Sequence, residues 1–206
     1  MKKAFLVLAI VTTIASAQTN AVKDIVSLTT QERIDKLMRI ASIYYQEGDL
    51  DNALNTFDRV LYIEPDHQEA RYIMGVIYVS QKKYDEAINS INAWCNAFPD
   101  DFQGLNNLAW VYATAEDPSF RDSKKAIDLA QKALVMAPYD HHIWSTLAEA
   151  YYSGGEFKKA KRAIDHLVTL ATKGGSKMTQ TMVDGYNDQI QKYTRAMETE
   201  KMLKEN

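Results

Sequence analysis

Trp144-Ser145-Thr146-Leu147-Ala148-Glu149-Ala150-Tyr151 puts a tryptophan, a leucine, an alanine and a tyrosine at i, i+3, i+4 and i+7, a single apolar stripe on an α-helix. The stripe recurs three times upstream. Leu37, Ile40, Ala41 and Tyr44 repeat it, as do Leu105, Leu108, Ala109 and Tyr112, while Met74, Gly75 and Tyr78 follow Arg71 in the first place. A second stripe follows each: Ala53, Phe57, Val60 and Leu61, beyond a turn at Gly48; then Ala87, Ile91 and Trp94; Ala126, Ala130, Ala133 and Leu134; and Ala160, Ile164 and Leu167. Pro65 and Pro99, 34 residues apart, and Pro138, 39 further on, close three of the four pairs. Proline lacks an N–H and restrains the residue before it, so each ends a helix where the chain must reverse.

Four helix pairs in one register, spanning 34–67, 68–101, 102–140 and 141–174, define a repeat architecture. Small residues at one place on the first helix (Ala41, Gly75, Ala109, Ala148) and on the second (Ala53, Ala87, Ala126, Ala160) allow close antiparallel approach. The larger residues then fill the space between pairs. One pair cannot bury its own apolar face, so stacking supplies the core and the two ends need polar covers.

The recurring pairs resemble the tetratricopeptide repeat (TPR), whose pattern is W-x2-L-G-x2-Y, then Ala, Phe and Ala at helical spacing, then Pro; the match runs from about Ile34 to Gly174, and Trp144 to Tyr151 fits its first part with Ala148 in place of Gly. Other departures exist: Arg71 stands in the place of Leu37 and Trp144, Ala130 replaces the large residue of the second helix, and Thr172 stands where a fourth proline belongs. The resemblance implies an all-α, right-handed superhelical solenoid of about four helix pairs, in which the first helices line a concave groove for a partner segment. Positions off the apolar stripe then face the groove, and Met38, Tyr45, Tyr72, Val76, Asn106, Asn107, Trp110, His142 and Tyr152 become the candidate partner-binding residues. Aromatic groups bring large contact area at modest entropic cost, and Asn106 or Asn107 is suited to hydrogen-bond a partner's backbone. Two alternatives stay open for the apolar members: tighter packing of the array covers them, or the C-terminal helix folds into the groove. TPR proteins that clamp a terminal carboxylate do so with cations. Here Tyr72, Val76, His142 and Thr146 stand in those places, so such a clamp is disfavoured.

Both ends carry their own signals. Thr29 and Glu32 have capping-box spacing and predict a helix from Thr30, leaving 18–28 as a disordered lead-in. Gly174-Gly175 reads as a helix stop, after which Ser176 caps a final helix bearing Met182, Val183, Tyr186, Ile190, Tyr193 and Met197, with a polar end beyond that frays. This helix, within 175–206, is expected to cap the last core face. Five extra residues fall near 114–122 in the third pair; Phe120 there is either a second partner contact or a plug against the array.

Lys2-Lys3, the apolar run Ala4–Val11 and Ala15-Ser16-Ala17 have the three-part order of a secretory signal, expected to be cleaved after Ala17. Its uncharged stretch of 14 residues is short of a membrane span, and Gln18 stands where a lipid-anchored form would have cysteine. The chain is therefore expected in the periplasm or secreted. A net charge of −3 from 24 basic and 27 acidic residues, with no long basic run, argues against nucleic acid. The single cysteine, Cys95, excludes an internal disulfide framework and a cysteine zinc cluster and is read as packing.

The four histidines have no H-x-x-x-H spacing, and adjacent His141 and His142 are expected on different helix faces. Lys173-Gly174-Gly175-Ser176-Lys177 lacks the phosphate-loop pattern, and Asp49-Leu50-Asp51-Asn52 lacks the glycine and distal glutamate of an EF-hand. No catalytic spacing, cofactor site or metal site is recognised. The sequence reading is a non-catalytic protein-interaction scaffold or adaptor of the bacterial cell envelope, monomeric or weakly self-associating. Its alternative is an accessory subunit of a separate envelope enzyme or of a secretion or assembly machine. N-terminal sequencing of the protein recovered from a bacterial envelope is expected to begin at Gln18; a chain still starting at Met1 would contradict the leader reading.

Overall fold

The computed structural model describes residues 28–173 and 179–205, which are helix and turn with no strand among them. The expected signal, all of the lead-in but Leu28, and the turn at Gly174-Gly175-Ser176 lie outside the described residues. The helices are α1 (Thr30–Glu47), α2 (Leu50–Ile63), α3 (Gln68–Ser80), α4 (Tyr84–Ala97), α5 (Phe102–Thr114), α6 (Ser123–Met136), α7 (His141–Ser153), α8 (Phe157–Lys173) and α9 (Gln180–Glu205). They divide between two compact units, one ending at Ala70 and the other starting at Arg71.

In the first unit the capping box forms. The Thr29 hydroxyl accepts the Glu32 N–H at 3.2 Å while a Glu32 carboxylate oxygen accepts the Thr29 N–H at 2.8 Å. The Thr29 N–H and then the Thr29 hydroxyl, both donating to the Glu32 carboxylate, hold that carboxyl below the usual carboxylate range. Gly48 ends α1 at φ +78°, a left-handed conformation that a side chain resists. Asp49 then caps α2, so the acidic turn 49–52 starts a helix. Ile34, Leu37 and Ala41 of α1 and Ala53, Leu54, Phe57 and Val60 of α2 are buried as these two helices pack together.

The second unit repeats the scheme. Gly75 lies so near Ile91 that a Cβ there would stand 2.9 Å from the isoleucine Cγ1, which is how closely α3 meets α4. Trp94 is fully buried and donates its indole N–H to Asp101 at 3.0 Å. Cys95 packs in the same cluster, near the place a Cβ on Gly104 would take, and burial together with Asp101 pushes its thiol up to about 11, so it is not a reactive thiolate at neutral pH. Next, α5 pairs with α6 and α7 with α8, and α7 also touches α5 and α6. Asp101, Asp122 and Asp140 cap α5, α6 and α7.

The added residues of the third pair form a turn with a short 3-10 helix, Pro118–Phe120. Phe120 does not project as a second contact. Its ring lies 5.3 Å from Tyr84, whose hydroxyl accepts the Glu116 N–H at 3.0 Å, while the Asp122 N–H binds the Tyr112 carbonyl. The turn is thereby fastened to α4 and α5.

The last helix is longer than its sequence suggests. Fraying after Met197 was the expectation, yet α9 continues to Glu205, 26 residues in all, with Lys204–Glu200 pairing one turn apart. It runs alongside α7 in the same direction: Tyr186 meets His141, Gln189 meets Ser145, and Tyr193 meets Glu149. Tyr186 and Tyr193 join Ala148, Ala160, Ala163, Ile164 and Leu167 in one buried cluster. The buried carboxylate of Glu149 accepts from Gln189 Nε2 (3.0 Å), Lys192 Nζ (2.7 Å) and Tyr193 Oη (2.9 Å), all on α9. Removing one member of such a set strands the others. Glu149→Ala is expected to lower unfolding stability by about 1–3 kcal/mol, read as a drop in the thermal midpoint; an unchanged midpoint would show that α9 docks without this carboxylate.

Candidate functional site

The caps decide where the candidate residues stand. Asp101 accepts the Gln103 N–H at 2.8 Å and starts α5 so that Gln103, Asn106, Asn107 and Trp110 rise along one face. Asp140 accepts the N–H groups of His142 and Ile143 and does the same for His142, Ser145 and Thr146 on α7. With Tyr72 of α3 these side chains enclose a cleft of about 390 Å³, which Phe102, Asp140 and Tyr186 complete. Tyr72 and Trp110 are 40% and 38% exposed, large apolar groups that the core leaves uncovered. Tyr72 is oriented by an edge-on contact with Trp94, ring centroids 5.5 Å apart. Beside this cleft, Val76 shares a smaller recess of about 180 Å³ with Val79, Asn107 and Trp110.

Five of the sequence-derived candidates, Tyr72, Asn106, Asn107, Trp110 and His142, therefore line one cleft, and Val76 adjoins it. Tyr152 does not. Its ring packs 5.3 Å from Tyr193, and the Lys192 ammonium stands 4.1 Å from its centroid, so α9 has taken that position. Glu149 and Ser145, off the apolar stripe by the same count, are likewise engaged by α9. Met38 and Tyr45 stand on α1 of the first unit, Met38 half-buried and Tyr45 40% exposed. Phe102, Asp140 and Tyr186 were missed. Asp140 and Phe102 sit at helix starts outside the counted positions, and Tyr186 belongs to a helix read only as a cover; an Asp before each helix was the available signal.

The polar character of the cleft is specific. Asn106 Oδ1 is buried with no hydrogen-bond partner among the described residues, and a buried acceptor in that state favours an incoming N–H or O–H. Among the described residues no lysine or arginine lines the cleft, whereas Asp140 does. One expectation about the histidines fails: the His141 and His142 rings are not on separate faces but lie 4.0 Å apart, His141 turned to bond Tyr186 Oη through Nδ1 at 2.7 Å. Burial and then His142 hold His141 below the ordinary 6.5, against the opposing pull of Asp140. No group of three or more His, Cys, Asp or Glu side chains with metal-binding geometry occurs among the described residues. No helix among them is long and apolar enough to cross a membrane.

A tetratricopeptide-repeat family model matches residues 44–110. Among curated proteins, ER membrane protein complex subunit 2-A of Xenopus laevis is 28% identical over 105 residues, 51% of this chain and 34% of that protein. A TPR repeat-containing protein of Schizosaccharomyces pombe is 24% identical over 135 residues, 65% of this chain and 16% of that protein. The chain thus spans about a third or less of the length of these relatives. Among solved structures, a MamA fragment from Desulfovibrio magneticus RS-1 superimposes with a TM-score of 0.59 at 22% identity, covering 70% of this chain and 78% of the fragment. A thermophilic TPR protein of Thermus thermophilus gives 0.56 at 21%, covering 66% and 74%. These likenesses establish the all-α helix-pair solenoid.

His141, facing Tyr186, His142 and Asp140, links the edge of the cleft to pH. A histidine whose folded pKa is depressed contributes stability that is present above the unfolded value and is lost as pH falls through the folded one. The docking of α9 is therefore expected to weaken on acidification below 6.5, and His141→Phe to flatten that dependence. Thermal unfolding at stepped pH checks it; equal slopes for the two proteins would contradict it.

Proposed function

Because the chain is a tetratricopeptide-repeat protein, we propose that it is a non-catalytic recognition scaffold whose second unit holds a segment of a partner protein in the cleft between Tyr72, Trp110 and His142. One observation carries this reading: two exposed aromatic rings share a cleft with a buried amide oxygen that has no hydrogen-bond partner among the described residues. Aromatic rings supply contact area. The amides of Gln103, Asn106 and Asn107 supply donors and acceptors suited to a main chain, whose groups must be paired once water is excluded. With Asp140 in the lining and no cation, the segment is uncharged or basic where it enters, not a terminal carboxylate.

Repeat scaffolds act by joining other proteins, and the Xenopus relative is by name a subunit of a membrane protein complex. That supports the role of an assembly subunit or adaptor. We infer the bacterial cell envelope as its compartment; the support is the order of Lys2-Lys3, the apolar run and Ala15-Ser16-Ala17.

Crosslinking in the native envelope followed by affinity purification identifies the partner, and a titration with that partner's segment measures the site. Trp110→Ala is expected to weaken binding by about 2 kcal/mol or more, roughly thirtyfold, with helicity unchanged. Tyr72→Ala is expected to do the same with a small loss of stability, since its ring also contacts Trp94. Undiminished binding by both variants would overturn the cleft as the site; a large fall in melting temperature with Trp110→Ala would make that ring core.

A further inference from the structure

The fourth pair carries a second recess on the other side of α7. Ser145, Thr146 and His142 point to the cleft described above; Trp144, Leu147 and Tyr151 follow them at helical angles that put them on the opposite face. With Leu134 of α6 and Ala163 of α8 they floor an apolar cleft of about 410 Å³. Its walls are fixed. The Trp144 indole N–H donates to the Pro138 carbonyl at 2.8 Å and its ring lies 4.3 Å from that of His166, tilted by 55°, while Tyr151 Oη accepts from Gln131 at 3.2 Å.

The departure at Ala130 bears on this place. Ala130 is buried with Ala109 and Leu147 and brings far less volume than Phe57, Ile91 or Ile164, which hold the corresponding position in the other pairs.

The rim is cationic. Lys159 and Arg162 line the cleft, and Lys159 is set over the Tyr151 ring, 5.3 Å from its centroid. Before its first acid, Asp165, α8 carries Lys158, Lys159, Lys161 and Arg162, and α6 has three lysines against one aspartate, in a chain of net charge −3. Basic charge is thus concentrated on the two helices that border the recess. We propose that this outer cleft is a second docking site, which takes an acidic segment of a partner protein: a bulky apolar side chain enters between Trp144, Leu147 and Tyr151, and flanking carboxylates meet Arg162 and Lys159. Arg forks match carboxylates in a planar, bidentate geometry. A concave apolar recess suits a protruding side chain, where a lipid surface calls for protruding groups. The two sides of α7 then select opposite chemistries, acid on the outside and uncharged or basic segments within.

The test pans the whole chain, wild type and Lys159→Glu/Arg162→Glu, against a displayed library of random short peptides. Both positions are exposed, and the one ion pair lost, Lys159–Glu156, lies one turn apart on the surface, so the variant keeps its helicity. The expected result is enrichment on wild type of peptides with a large apolar residue flanked by Asp or Glu, their affinity falling with added salt. They are expected to bind the variant about tenfold or more weakly and to move the Trp144 indole N–H signal in NMR spectra while Trp110→Ala leaves them bound. No enrichment, enrichment of neutral or basic peptides, equal binding to the variant, or a response at Trp110 alone would each overturn the proposal. So would Arg162-dependent sedimentation with phosphatidylglycerol vesicles in the absence of acidic-peptide binding.

Discussion

Close contact between helices through alanine and glycine is the constraint on which the rest depends. At Ala41, Gly75, Ala109 and Ala148 on the first helices, and at Ala53, Ala87, Ala126 and Ala160 on the second, a larger side chain would force the pair apart. Gly75 against Ile91 shows how little clearance remains. Helices held this near bury their stripes efficiently but cover only one side of each hairpin. Within the second unit the remaining apolar face is satisfied by a neighbouring helix, and in the fourth pair by α9 through Tyr186 and Tyr193. The core consequently consists of contacts between successive elements, while the faces off the stripe are free to vary in chemistry. Tyr72 and Trp110 owe their exposure to that freedom.

What the sequence reveals follows from this division. The apolar periodicity and the prolines locate the helix pairs because a stripe that fails to bury is costly, and the capping box at Thr29–Glu32 forms with both of its bonds. Five cleft residues on α3, α5 and α7 are legible because the family resemblance places a groove along the first helices and register then picks out its positions. Tyr152 follows the alternative that the sequence left open, contact with the C-terminal helix: register says which way a side chain points, not whether another segment arrives there. The partner of Tyr152 is forty-one positions away in sequence, at Tyr193, and nothing in the local pattern announces it. The same holds for Glu149, whose charge argues for solvent until three donors on α9 are seen to surround it. Phe120 is a third instance, decided by Tyr84 from an earlier helix.

The fourth pair concentrates these departures. Its first helix serves a cleft on one face and a recess on the other, and its flank is closed by α9. A side chain on α7 thus reports to one of three surroundings according to its angle about the helix axis, which explains why Thr146, Trp144 and Glu149, close in sequence, have unrelated neighbours. Rigid placement matters here, since recognition improves when the groups that bind are already held in position.

The manner in which Glu149 is used also limits how the protein can grow. Repeat arrays lengthen by duplication, and a further hairpin added after α8 would lay its own first helix where α9 now runs. It would meet a carboxylate already withdrawn from water, and unless it brought donors where Gln189, Lys192 and Tyr193 provide them, that charge would be stranded at a fresh seam. This side of the array is closed chemically as well as sterically, and extending it, in evolution or by design, starts with exchanging residue 149 for an apolar one.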